Sequence, residues 1–154
     1  MNTKIIFAER FQSLMETGGH ILASLVDDNG ELQGVEVYGS ELLGTELVAY
    51  VSTEVNPEFF AGLKPQRKVA CVICSPFSME SYQVKGTLIE VSPLENEDEE
   101  KSRYWRENYL LCLQTIGVPA GALEMVRYWP DHRFRLRIDQ YFAQTPQKGT
   151  GEKL

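Results

Sequence analysis

HILASLVDDNGELQGVEVY, residues 20–38, decides the fold. His20 to Val26 is an apolar run of strand length. Asp27-Asp28-Asn29-Gly30 follows, and Asn-Gly tolerates the positive φ that a tight hairpin turn needs. Leu32 to Tyr38 then returns as the partner strand. An antiparallel sheet is expected from this hairpin outward, because two strands joined so closely cannot run parallel.

Toward the N-terminus, residues 4–17 predict a short amphipathic helix. Ile5, Phe7, Phe11, Leu14 and Met15 form its apolar face, and Gly18-Gly19 ends it. Toward the C-terminus, Glu46 to Ser52 is a third strand. Asn56-Pro57 reads as an N-cap followed by proline at the first helical position, opening a helix over 57–63. Arg67 to Ser75 and Ser81 to Val91 are the fourth and fifth strands. Ser92-Pro93-Leu94-Glu95 has the form of a capping box, so a long helix is expected from there. Its acidic first turns suit the helix dipole, and Trp105, Tyr109, Cys112 and Ile116 make its buried stripe. Gly117 and Pro119 stop it, and a last strand covers about His132 to Gln140. Six strands, hairpin links and few helices predict a mainly β (α+β) chain. The expected architecture is an antiparallel barrel with peripheral helices, one domain over 1–154 with a helical stretch at about 93–130.

The 154 residues are 43 % hydrophobic and 24 % charged, with a net charge of −7 and a pI near 4.9. That balance argues against nucleic acid and anionic membranes as partners, since both call for a basic surface. No apolar run approaches the roughly 20 residues a bilayer requires. Glu9, Arg10 and Glu16 interrupt the N-terminus where a signal peptide needs an apolar core, so a cytoplasmic protein is expected.

Few motifs carry chemistry. Cys71-Val-Ile-Cys74 lies within a strand, where a separation of three sends the two side chains to opposite faces. Neither a redox pair nor a zinc site follows, and no metal is assigned. His20 and His132 are the two histidines, and neither stands beside an obvious nucleophile; they are also the only histidines available to a haem. Arg133, Arg135 and Arg137 alternate with Phe134, Leu136 and Ile138, a half-buried strand with a basic solvent face flanked by Asp131 and Asp139.

Two places are suited to a ligand. Ser52-Thr53 ends a strand before a short helix, and hydroxyls with free N–H groups at such a junction can hold a phosphate. In SYQVKG, residues 81–86, Gln83 and Lys85 share one face of an apolar strand. One offers a donor and an acceptor, the other a charge, and Gly86 permits close approach to the backbone.

In this order these pieces resemble the FMN-binding split-barrel family related to pyridoxamine 5′-phosphate oxidase. The resemblance rests on HILASLVDDNGELQGVEVYG, ELVAYVSTEVNPEFFAGLKPQRKVACVIC, SYQVKGTLIEVS and IDQYFAQTPQKGTGEKL, covering about residues 18–92 and 132–154. It implies a six-stranded split barrel and a homodimer with FMN sites at the subunit interface. Ser52 and Thr53 would lie near the phosphate. Gln83, Lys85 and the backbone of Val84 would line the flavin groove, and Gln144 and Thr145 would reach the partner's site. The implied activity is that of an FMN-dependent oxidoreductase on a small molecule, with no catalytic residue or substrate identified. Where many members carry Lys or Arg in the short helix, this chain has Glu54 and Glu58. The alternative is a non-catalytic split barrel that holds flavin or another anionic ligand, or that has lost cofactor binding.

Overall fold

The computed structural model describes residues 3–123, 128–146 and 150–154, with side chains from residue 6 onward. The expected contribution of Ile5 to a helix face, and that of residues 147–149 to the tail, lie outside the described residues. The element order is α1 (Thr3–Glu16), β1 (His20–Val26), β2 (Leu32–Val37), β3 (Ser40–Leu43), β4 (Glu46–Val51), α2 (Pro57–Gly62), β5 (Lys68–Cys74), β6 (Ser81–Pro93), α3 (Asn96–Thr115), α4 (Ala120–Leu123) and β7 (His132–Ala143).

The strands form one antiparallel sheet in the order β2-β1-β5-β6-β7-β4-β3. It curls until its two ends meet. The N–H of Tyr38 donates to the carbonyl of Tyr50 at 2.8 Å, and the N–H of Tyr50 donates to that of Gly39 at 3.0 Å. These bonds join the end of β2 to β4 and close the barrel. Alternation fills its interior: Ile21, Val37, Leu47, Ile73, Val84, Leu88, Phe134 and Leu136 all point inward. Phe7 and Phe11 of α1 and Phe59 of α2 complete the same core. Trp105 of α3, 1 % exposed, is held by its indole N–H, which donates to the carbonyl of Gly19 at 2.9 Å. Gly18 makes that docking possible. It has φ +77, and a Cβ there would lie 2.5 Å from the backbone of Asn108.

The structure corrects the sequence reading in four places. Among the described residues there are seven strands rather than six, because Ser40–Leu43 pairs with Leu47 and its neighbours as β3. Ser92 does not cap α3. It still pairs with Arg133, Pro93 still pairs with His132, and the cap is Glu95, whose N–H donates to the carboxylate of Asp98 at 2.9 Å. The buried stripe of α3 runs through Asp98, Ser102, Trp105, Tyr109 and Cys112, whereas Ile116 lies just past the helix and is exposed. Of the aspartates flanking the arginines, Asp139 meets Arg137 at 3.7 Å, but Arg133 pairs with Glu95 and Asp98 and Arg135 with Glu46 and Glu90. The arginine face is thereby neutralised within the chain.

Candidate functional site

The outer face of the sheet is the place to look, since the interior is filled with side chains. Two rows of residues cross it. Leu22 of β1 faces Val72 of β5, which faces Gln83 of β6, which faces Phe142 of β7. One step along, Ser24 is followed by Ala70, Lys85 and Gln140. The floor is therefore apolar or small over β1 and β5, and polar groups gather over β6. A groove of about 400 Å³ lies over this floor, with Gly34 and Glu36 of β2 and the loop residues Val55 and Asn56 in its lining. Its size suits a ring system rather than a macromolecule.

Gln83 and Gln144 meet here. The Gln144 side-chain N–H donates to Gln83 Oε1 at 3.3 Å, which takes the acceptor of Gln83 and leaves its N–H donors for another partner. Thr145 pins the tail beside them: the Ser81 N–H donates to Thr145 Oγ1 at 3.0 Å, and the Gln144 N–H donates to the Ser81 carbonyl at 2.8 Å. Both tail residues thus bond to β6 of their own chain. Lys85 is exposed, with Nζ 5.0 Å from the centre of the Phe142 ring, and none of the described carboxylates pairs with it. Val84 faces the other way. Its side chain is in the core and its backbone lies between Cys71 and Tyr141 in two ladders, so it offers a ligand nothing.

Gly86 has a different purpose from the one its sequence suggests. The ladder slips between Lys85 and Gly86, leaving Asp139 as the extra residue of a bulge on β7. A Cβ on Gly86 would stand 2.5 Å from the carbonyl oxygen of Arg137. The close approach is that of β7, not of a ligand. The displaced Asp139 accepts from Lys68 Nζ at 2.7 Å and from Thr87 Oγ1 at 2.7 Å.

The strand–helix junction is occupied by the protein itself. Ser52 is buried, and its Oγ accepts the N–H of Glu54 at 3.4 Å. The N–H of Thr53 donates to Asp131 Oδ1 at 3.0 Å, and its hydroxyl donates to Oδ2 of the same carboxylate. Burial alone would raise the Asp131 carboxyl, but the two Thr53 bonds and the nearby His132 outweigh it and hold the group below its ordinary value. Asn56 caps α2 as expected: its Oδ1 accepts the Phe59 N–H at 2.9 Å, and its amide donates to the Gly34 carbonyl. Arg67 and Lys64 do not turn to this junction, because both pair with Asp28 of the hairpin turn.

The remaining sequence candidates stay apart from the groove or play a lesser part. Cys71 is buried and its thiol is pushed up to about 12, while Cys74 lies on the opposite face; neither is a nucleophile at neutral pH. His20 Nε2 lies 3.5 Å from Glu36, whose carboxyl burial raises, and His132 sits beside Asp131. Among the described residues no cluster of ligating side chains could hold a metal ion, and no helix is long and apolar enough to cross a membrane. The sequence reading missed Asp131 as the partner of Thr53, since the two are 78 residues apart. It also missed the outward row Leu22, Ser24, Ala70 and Val72. Its signal was the run of uncharged residues at the central outer positions of two adjacent strands, Leu22 and Ser24 on one and Ala70 and Val72 on the other.

No protein-family model matches the sequence, and no curated protein is similar to it in sequence. Solved structures are similar in fold. HupZ of Group A Streptococcus aligns with a TM-score of 0.56 at 12 % identity, over 94 % of this chain and 97 % of its own. A protein of Lactobacillus delbrueckii named for pyridoxamine 5′-phosphate oxidase aligns at 0.53 with 20 % identity, over 88 % and 92 %. An F420 reductase aligns at 0.53 with 16 % identity, over 84 % and 94 %. The chain has the split-barrel fold of the pyridoxamine 5′-phosphate oxidase-like proteins.

Proposed function

We propose that this chain is a flavin-binding protein of the FMN type that works as a cytoplasmic homodimer and turns over a small molecule by oxidation or reduction. The observation that carries the reading is the outward pair Gln83 and Lys85, with Gln144 bonded to Gln83, at the border of a floor made by Leu22, Ala70 and Val72. Leu22, Ala70 and Val72 would hold a planar ring, and the Gln83 amide and the Lys85 ammonium would receive its polar groups. Bound there, a flavin supplies electron or hydride transfer, and its pyrimidine edge gains negative charge on reduction. Lys85 would stabilise that charge, and the N–H donors of Gln83 would orient the ring. The ring end of FMN fits these residues. The phosphate end does not fit this junction, where both Thr53 donors end on Asp131 and the Ser52 side chain is buried, so no reaction step is assigned.

That misfit favours the second reading, a non-catalytic carrier of flavin or another ligand. Purified protein incubated with flavin and desalted separates the two. Retained yellow colour that NADH or NADPH bleaches supports an enzyme. Colour that neither bleaches supports a carrier, and a colourless product rejects flavin binding altogether.

A further inference from the structure

We infer that Asp131 is the anion this strand–helix junction holds, and that it sets the ligand class: a ring system bound without a phosphate contact at Thr53. The inference rests on the flavin reading above and narrows it. A junction of this kind attracts phosphate by offering unsatisfied N–H and O–H donors. Here the N–H and the hydroxyl of Thr53 both end on one carboxylate, and the Ser52 hydroxyl turns into the protein. Asp131 is fixed from behind, as its own N–H donates to the Val51 carbonyl at 3.1 Å. A phosphate arriving at Thr53 would have to displace a carboxylate that the chain holds in place. It would also meet Glu54, one residue on, and Glu58 in the first turn of α2.

Among the described residues the basic groups of this region already face carboxylates, His132 included, its Nδ1 lying 3.2 Å from Asp131 Oδ1. Lys64 and Arg67 are committed to Asp28, and Lys68 to Asp139. The charge a phosphate would need is already balanced elsewhere. Asp131 therefore acts as a specificity determinant: it removes the advantage a phosphorylated flavin would have over an unphosphorylated one.

The test titrates the wild type and Asp131→Asn with FMN and with riboflavin, following flavin fluorescence. The wild type should bind the two within about threefold of each other. Removing one unit of like charge should tighten FMN by about tenfold and leave riboflavin within threefold. Asparagine keeps the shape and an acceptor for the Thr53 N–H, so the variant should fold. A wild type that prefers FMN tenfold or more overturns the inference, as does a variant that moves both ligands together or neither. If neither flavin binds, the flavin reading fails, and inorganic phosphate decides this inference separately. The wild-type Thr53 amide resonance should not move with added phosphate, and a saturable shift would overturn the assignment.

Discussion

The two ends of the candidate site differ in where their polar groups are spent. At the Thr53 end, the N–H and the hydroxyl of that residue are both bonded within the chain, to a carboxylate that sequence distance hides. At the Lys85 end, an ammonium lies open beside an amide that still has donors to give. Lys68 makes the contrast sharper, because it stands on the same outer face and is tied to Asp139 and Thr87. A charged residue on a sheet face is a candidate for binding only when its own protein has not already answered it. Among the cations named for this face, Lys85 is the one that meets that condition.

The comparison can be broken by substitution. The largest effect belongs to Gly86, which is part of the open end only in sequence. Gly86→Val drives a side chain into the Arg137 carbonyl and should cost roughly 2 kcal/mol or more in urea unfolding. A loss below about 0.5 kcal/mol would mean that the bulge yields, and that the glycine was serving a ligand instead.

Next comes the closed end. Asp131→Ala leaves the Thr53 donors to water and should cost about 1 kcal/mol at neutral pH, modest because the carboxylate is part exposed. The sign of its pH dependence follows from the lowered carboxyl. A depressed folded value contributes stability above the ordinary carboxylate range, and that contribution is lost as pH falls through the folded value. The gap between wild type and variant should thus be full at pH 7 and close below pH 3.8. A gap that persists in acid would show that Asp131 acts through packing rather than charge.

Lys68→Met should cost at most about 0.5 kcal/mol, as exposed ion pairs do. Lys85→Met should leave stability unchanged within the same error, since among the described residues Lys85 has the Phe142 ring to lose and no ion pair. The difference between these two lysines should appear instead in flavin binding, which Lys68→Met leaves alone.

Much of this fold is legible in the sequence, for local reasons. Asp27 to Gly30 dictates a hairpin whatever surrounds it, and Asn56-Pro57 caps a helix through its own side chain. The bounds of β1 match their reading residue for residue. β3 was not legible, because Ser40–Leu43 is four residues long and owes its conformation to pairing with β4. Ser92 misled for the opposite reason. Its local pattern is that of a cap, but the ladder to Arg133 extends past it and its hydroxyl accepts from Arg133 Nε at 3.2 Å. Of the candidate site, the shared outward face of Gln83 and Lys85 follows from a period of two. The meeting of Gln144 with Gln83 needs the β6–β7 register and cannot be read from spacing. The capture of Thr53 by Asp131 depends in the same way on β7 lying beside β4.

What remains is whether the open end holds a flavin. Fluorescence titration of the wild type and Lys85→Met with FMN, followed by the midpoint potential of whatever is bound, answers it. The wild type should quench the flavin to saturation, and Lys85→Met should bind several-fold more weakly with a more negative potential, since the charge that favours the reduced form is gone. Equal affinity and equal potential in the two proteins, or no quenching by the wild type, would contradict the assignment of this sheet face as the flavin site.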